Sequence, residues 1–250
     1  MNSEYKKNGY HVFKGFLTDV ELQKLREVLL QFHESWKRQN AAWYADKAIN
    51  SAYITGTGHL RESQRKEIFT FLGSFKLMDI VNEILNDRPT FMNTQLFFDP
   101  VNKEQKNYWH RDSQYNLSIK EQKEALSGPE AIHFRIPMFD EPGIELIPGT
   151  HQRWDSDEEL NVRLEKYGRK NHDDLSTGVH IELKAGDLLV FSANMIHRGL
   201  YGMDRLSLDI LFCDPDPKLL QFASRDCLPG REIFDCLENV DAFERAIELM

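Results

Sequence analysis

Hydrophobic residues recur with two different periods along this chain, and the change of period divides it. Over residues 19–36, Val20, Leu22, Leu25, Val28, Leu29 and Phe32 return at helical spacing. Thr18 stands just before this run and Glu21 three residues after Thr18, a capping box in which side chain and backbone satisfy one another. The spacing predicts a helix over about 19–36, after a short strand and turn over 10–17. Phe75, Leu77, Met78, Val81 and Leu85 predict a second helix over 74–86. Between them, 37–66 mixes polar residues with Gly56, Gly58, His59, Trp43, Tyr44 and Tyr53. It reads as a loop or partly ordered region, its aromatics either rimming a pocket or plugging the loop.

From residue 91 the period shortens. Runs rich in β-branched and aromatic residues are separated by Pro, Gly, Asn and Asp, at 91–98, 132–139, 144–147, 179–183, 187–192 and 206–212. Many short strands with turn signals predict a sandwich or barrel. The long polar loops 113–131 and 151–177 have room for short helices near 119–126 and 157–167, and long loops in a compact domain are often functional. Residues 240–250 read as a last, outer helix. Neither GxGxxG nor GxxxxGK[ST] occurs, so these phosphate-cradling devices are absent. The expectation is one domain over 1–250. Its parts are a helical cover over about 1–90, a β core over about 91–213 and a helical extension over about 214–250.

Composition narrows the partners. The 250 residues include 40 acidic and 31 basic side chains, a formal net charge of −9. Such a surface has no general attraction for nucleic acid or anionic membrane. No run of apolar residues is long enough to span a bilayer, and Met1–Lys7 has no signal-like core. The three cysteines, Cys213, Cys227 and Cys236, fit no zinc spacing and read as reduced thiols in a cytoplasmic protein.

The strongest chemical signal is Trp109-His110-Arg111-Asp112. In an extended segment, residues two apart face the same way, so His110 and Asp112 can reach one metal ion. His197, after the apolar strand Asp187–Ser192 that Gly186 introduces, is the best third ligand among nine histidines. Two imidazoles and a carboxylate occupy one face of an octahedron and leave the other open, the pattern of non-heme Fe(II) oxygenases, although zinc or manganese also suits these donors. Arg205, eight residues beyond His197, is placed to hold an anion such as the far carboxylate of 2-oxoglutarate. A structural salt bridge is its alternative role. Strand parity puts Asn93 and Gln95 on one face of 91–98, which nominates Gln95, then Asn93, as hydrogen-bond partners of 2-oxoglutarate, unless 91–98 is an edge or solvent-facing strand. His133 and Arg135 share a face of 132–139, and Arg135 reads as meeting an acidic substrate or, more simply, a surface carboxylate. Trp109 reads as a packing residue.

These segments taken in order resemble the phytanoyl-CoA dioxygenase family of Fe(II)/2-oxoglutarate-dependent oxygenases. The resemblance rests on Trp109–Asp112, Glu145–His151, Gly186–Phe191, His197, Arg205 and the opening Gly9–Leu17, and spans about residues 8–213. It implies a mainly β fold with flanking helices: a double-stranded β-helix, that is, a distorted, cupin-like jelly roll. It implies His110, Asp112 and His197 as Fe(II) ligands and Arg205 as the arginine of 2-oxoglutarate. Pro148-Gly149-Thr150-His151 takes the place of a structural segment, so His151 is not expected to bind metal. Pro142-Gly143 stands where the family often has Asn-Gly and reads as a turn. Asp112 fills the place that halogenases leave for halide, so the implied reaction is hydroxylation of a small molecule by dioxygen, with succinate and CO2 formed. The rival readings are a non-oxidative cupin-like isomerase or hydrolase and a metal-free jelly-roll module binding a small molecule or carbohydrate.

Overall fold

The computed structural model describes residues 2–86 and 88–250. The first helix, α1 (Asn2–Asn8), leads into strand β1 (Tyr10–Phe13). Helix α2 (Asp19–Gln39) starts where the capping box puts it. The Thr18 N–H donates to Glu21 at 2.8 Å, and the Glu21 N–H donates back to the Thr18 hydroxyl at 3.3 Å. The helix runs three residues past the predicted end, through the buried Trp36.

The expected loop over 37–66 is the main correction to the sequence reading. It holds the end of α2, helix α3 (Ala41–Asp46), strand β2 (Asn50–Ala52) and the start of α4 (Glu62–Leu72). None of these has a pattern of its own inside that window. Helix α3 buries no side chain. Strand β2 is three residues long and forms by pairing with its neighbour. The apolar face of α4, at Ile68, Phe69 and Leu72, lies beyond residue 66. Of the aromatics, Tyr44 packs on Trp36 and Phe98, while Trp43 and Tyr53 face solvent. Helix α5 (Phe75–Ile84) follows its Ser74 cap.

Six strands then arrive close to their predicted places, β3 (Thr90–Phe98), β4 (Ala131–Pro137), β5 (Glu141–Leu146), β6 (Val179–Leu183), β7 (Leu188–Ser192) and β9 (Leu206–Cys213), and the three-residue β8 (His197–Gly199) joins them unpredicted. Helices α6 (Ile119–Ala125) and α7 (Asp157–Arg163) sit in the two long loops, and α8 (Arg231–Phe234) and α9 (Asp241–Leu249) close the chain. Every strand pair is antiparallel, in a six-stranded sheet ordered β1-β7-β4-β9-β3-β2 and a three-stranded sheet ordered β6-β5-β8. Two sheets flanked by helices make a distorted jelly roll, as the sequence predicted.

Period-two alternation decides what each face of the large sheet meets. Ile132, Phe134 and Ile136 of β4, and Leu206, Leu208, Ile210 and Phe212 of β9, face outward. They join α2, α4, α5 and α9 in the main core. The opposite faces turn inward, toward the small sheet. There Leu189, Phe191, Ile144, Leu146, Leu183 and Met195 form a second apolar cluster. His133, Arg135, Ser207 and Asp209 are on the inward parity too, all buried. Pro142-Gly143 forms a bulge inside β5 rather than the expected turn. Gly143 has φ +89°, and a Cβ there would lie 1.9 Å from the Ile181 carbonyl, so only glycine fits.

Candidate metal centre

His110 and His197 are brought together by the backbone. They form an antiparallel bridge in which each N–H donates to the other's carbonyl, at 3.0 and 2.9 Å. Their rings lie 4.2 Å apart. Asp112 opens a 3-10 turn over Asp112–Tyr115, and its N–H is tied to the Ala193 carbonyl at 3.2 Å. The extended pair predicted from the sequence therefore turns at its last residue, yet the carboxylate still reaches both rings. Asp112 Oδ1 is 3.5 Å from Nε2 of His110 and 3.5 Å from Nε2 of His197. One donor atom from each residue falls within a cluster 4.8 Å across that can hold a single ion.

The protonation states suit such an ion. The Nδ1 of His110 lies 3.0 Å from the Tyr108 carbonyl, and that of His197 lies 3.0 Å from the Met195 carbonyl. A carbonyl only accepts, so each Nδ1 keeps the proton and each Nε2 offers a lone pair. Burial lowers the pKa of both rings, with His197 pulled down to about 3 by burial and then by His110 beside it. Burial works against the charge of Asp112, but His133, then His197 and His110, hold its carboxyl well below the usual range. Two neutral imidazoles and an ionised carboxylate are the donor set of an Fe(II) facial triad.

Behind the triad stands a layer the sequence reading did not assign. His133 donates from Nε2 to Asp112 Oδ2 at 2.7 Å and from Nδ1 to Asp209 Oδ2 at 2.8 Å. Burial opposes its charge, but Asp209 and then Asp112 outweigh burial and raise it to about 10. Arg111, between the two HxD ligands, points the other way and is fully buried. It pairs with Asp155 at 2.8 Å and donates to the carbonyls of Thr150, Arg153 and Asn194. It thus ties the Pro148–His151 segment to the stretch before His197. Thr150 reinforces this, its hydroxyl donating to the Ile147 carbonyl and accepting from the Ile196 N–H. His151 lies away from the triad, its Nε2 on the Lys6 carbonyl. Trp109 packs with Ile147, Val162, Leu175 and Ile196.

Arg205 is buried at the start of β9, its Nη1 on the Leu200 carbonyl at 2.9 Å and its Nη2 on the Phe98 carbonyl at 3.3 Å. Arg135 does not pair with a surface carboxylate; it lies on the inward face of β4, paired with the buried Glu141 at 2.8 Å. Both guanidinium groups lie against the ring of Phe97, and both approach Gly199, which has no side chain to exclude them. The Nε–H of each is buried and without a partner. Burial, then repulsion from Arg135, pull Arg205 down to about 10, so it stays charged at neutral pH. Two buried cations with one carboxylate and two unused donors fit an incoming dicarboxylate. Of the other nominated residues, Gln95 accepts from Asn50 at 3.4 Å and pairs across the sheet with Asp209. Asn93 has its carbonyl oxygen occupied by the Thr94 N–H at 2.7 Å.

Tyrosines stand beside the triad. The hydroxyls of Tyr108 and Tyr115 are 2.6 Å apart, and their rings lie 5.0 and 5.6 Å from that of His110. Tyr115 is half exposed, so this is the solvent side. Sequence parity had already paired His133 with Arg135, and this was the available signal for the layer behind Asp112. Tyr115 lies in the long loop 113–131 that the sequence marked as functional, whereas nothing local marked Tyr108.

A facial triad on a distorted jelly roll defines the class of non-heme iron oxygenases. The sequence profile described as phytanoyl-CoA dioxygenase (PhyH) matches residues 5–200, and the chain belongs to that family. It is an Fe(II)- and 2-oxoglutarate-dependent enzyme of the hydroxylase type. No curated protein sequence matches it. Among solved structures, EctD from S. alaskensis in its apoform is 13% identical, with a TM-score of 0.62 over 86% of this chain and 76% of that one. The same protein with 2-oxoglutarate and 5-hydroxyectoine gives 14% and 0.58 over 84% and 74%. AviO1 from Streptomyces viridochromogenes Tue57 gives 15% and 0.56 over 85% and 93%. At these identities the likeness is one of fold. Among the described residues, no helix is long and apolar enough to cross a membrane.

Proposed function

We propose that His110, His197 and Asp112 hold Fe(II), that Arg205 anchors the far carboxylate of 2-oxoglutarate, and that the substrate is a small molecule. The observation that carries this reading is the set of three donors around one point, each in its metal-binding protonation state. Bound there with 2-oxoglutarate and dioxygen, iron supplies oxidation of an unactivated C–H bond, with succinate and CO2 as co-products. The protein's own part is positional. The backbone carbonyls of Tyr108 and Met195 orient the two imidazoles. Arg205, with Arg135 beside it, neutralises the dicarboxylate in a buried place. Gln95 and Asn93 both have the amide oxygen engaged, by Asn50 and Thr94, so the co-substrate would accept from Gln95 Nε2 or Asn93 Nδ2. Tyr108 and Tyr115 narrow the solvent side next to His110, where the substrate enters. The acidic surface disfavours nucleic acid as substrate. Three free cysteines, two of them buried, suit the reducing cytoplasm.

Anaerobic titration of the purified chain with Fe(II) and 2-oxoglutarate tests the assignment. A weak visible charge-transfer band develops only when the keto acid chelates ferrous iron. Wild type should show it, His110→Ala should lose it, and Arg205→Ala should need at least tenfold more co-substrate, the loss of one charged hydrogen bond. A folded, metal-loaded wild type with no band would refute the 2-oxoglutarate reading.

A further inference from the structure

The two oxygens of Asp112 have different surroundings. Oδ1 faces both histidine Nε2 atoms at 3.5 Å, while Oδ2 accepts the His133 Nε2–H at 2.7 Å. Of the three ligand candidates, Asp112 alone makes no strand pairing, and its side chain is 32% exposed. What orients it is His133, and His133 itself has no freedom. It is buried in the middle of the large sheet, paired with Phe191 on β7 and Leu211 on β9. Its ring stacks on that of Phe191 at 4.5 Å and 8°. Its other nitrogen donates to the buried Asp209 at 2.8 Å. Phe191 also meets His197 edge-on at 5.1 Å, so one ring braces both sides of the site. Turning Asp112 to offer both oxygens to a metal would break the 2.7 Å bond and leave a buried N–H unpaired, which is unfavourable.

We infer that His133, oriented by Asp209, is a positioning residue that confines Asp112 to one metal-bound oxygen and so keeps a coordination position free. This rests on the metal assignment proposed above. The consequence follows from counting. An octahedral ion has about six positions, of which the three protein atoms take three and a chelating keto acid takes two. A second oxygen from Asp112 would fill the last one. A ligand of this kind is tuned by the group behind it, and the group here is a histidine bridging two carboxylates.

Mn(II) alone, bound to the full chain, is the probe, and the readout is the number of exchangeable waters it carries, from the broadening of its resonance in 17O-water. The expected counts are about three for wild type and about two for His133→Phe, which keeps the stacking and removes both donors. His133→Gln, which restores a donor toward Asp112, should return the count to that of wild type. A wild-type count of two, or an unchanged count in folded His133→Phe, overturns the inference while the metal assignment stands. Should His133→Phe not fold, Asp209→Ala is measured in its place. Loss of a water supports the role, and an unchanged count overturns it. A wild type that binds neither Mn(II) nor Fe(II) with 2-oxoglutarate overturns the metal assignment and the inference together, and the band described above separates this case from the others.

Discussion

Gly199→Ala tests the anion end of the site without touching a charge. The backbone of Gly199 is in an ordinary region, so alanine adds only a methyl group. That methyl would lie 2.7 Å from Nη1 of Arg205 and 3.9 Å from Nη1 of Arg135. A carbon and a nitrogen rest at roughly 3.5 Å, so the first pair must part by about 0.8 Å. An arginine at the surface would swing aside. Arg205 is buried, with its two Nη atoms tied to the Leu200 and Phe98 carbonyls and its face against Phe97 and Tyr201. Its guanidinium therefore moves off any carboxylate it was aligned to bind. Loss of one charged hydrogen bond costs about 1.5–3 kcal/mol, roughly a 10- to 100-fold weaker affinity for 2-oxoglutarate. Overpacking should add about 1–3 kcal/mol of destabilisation. Anaerobic titration of the Fe(II)-loaded variant with 2-oxoglutarate reads the first effect and thermal melting the second. Fe(II) affinity should be unchanged, because no ligand candidate touches Gly199. A 2-oxoglutarate affinity within twofold of wild type, in a folded variant, would show that Arg205 is not the anchor.

His33 gives a pH prediction remote from the metal. Burial, then Lys37, pull it down to about 4 against the opposing pull of Glu34, and it packs on Phe98 and Tyr44. Its folded pKa is depressed below the ordinary 6.5, so its contribution is intact above pH 6.5 and is lost as pH falls toward 4. Linkage puts the loss at about 2 kcal/mol between pH 7 and pH 5, roughly 4–8 °C in Tm for a chain of this size. His33→Leu should flatten the acid slope of the melting curve by that amount, and an unaltered slope would contradict the assignment. Arg111→Met leaves Asp155 with Arg163 as its remaining charge partner and frees three carbonyls, so it should cost about 3–5 kcal/mol in denaturant melts. Fe(II) affinity should fall roughly 10- to 100-fold as the segment before His197 loosens, and a variant with wild-type affinity would remove Arg111 from the support of the site. Gly143→Ala places a Cβ 1.9 Å from the Ile181 carbonyl at φ +89°. It should yield little soluble protein, and a melt within about 1 kcal/mol of wild type would show that the bulge relaxes freely.

Much of the architecture was legible because local physics determined it. The Thr18–Glu21 box and the helical spacing after it are local, and α2 begins where they require. The β-rich runs from 91 onward became strands because alternating apolar residues have one arrangement that buries both faces of the large sheet. An HxD pair is common by chance; it and the distant His197 were readable as chemistry because Pro148–His151, Gly186-Asp187 and Arg205 stand with them in one order along the chain. Residues 37–66 were not readable, since β2 owes its existence to the edge of β3, and an isolated three-residue pattern carries no period.

The sequence by itself determined the residue types of the site and a sandwich or barrel of short strands, because both depend on side-chain chemistry and on periods of a few residues, while the double-stranded β-helix came from the family resemblance. Tertiary structure alone decided which groups stand behind that site. Arg135 became an interior cation only because β4 lies in the middle of the sheet, where both of its faces are covered. His133 met Asp209, 76 residues after it, through the antiparallel pairing of β4 with β9, and Asp112, 21 residues before it, through the turn tied to the Ala193 carbonyl. A contact between residues far apart in the chain leaves no periodic trace in the sequence. It arises when the sheets pack and buried polar groups must find partners.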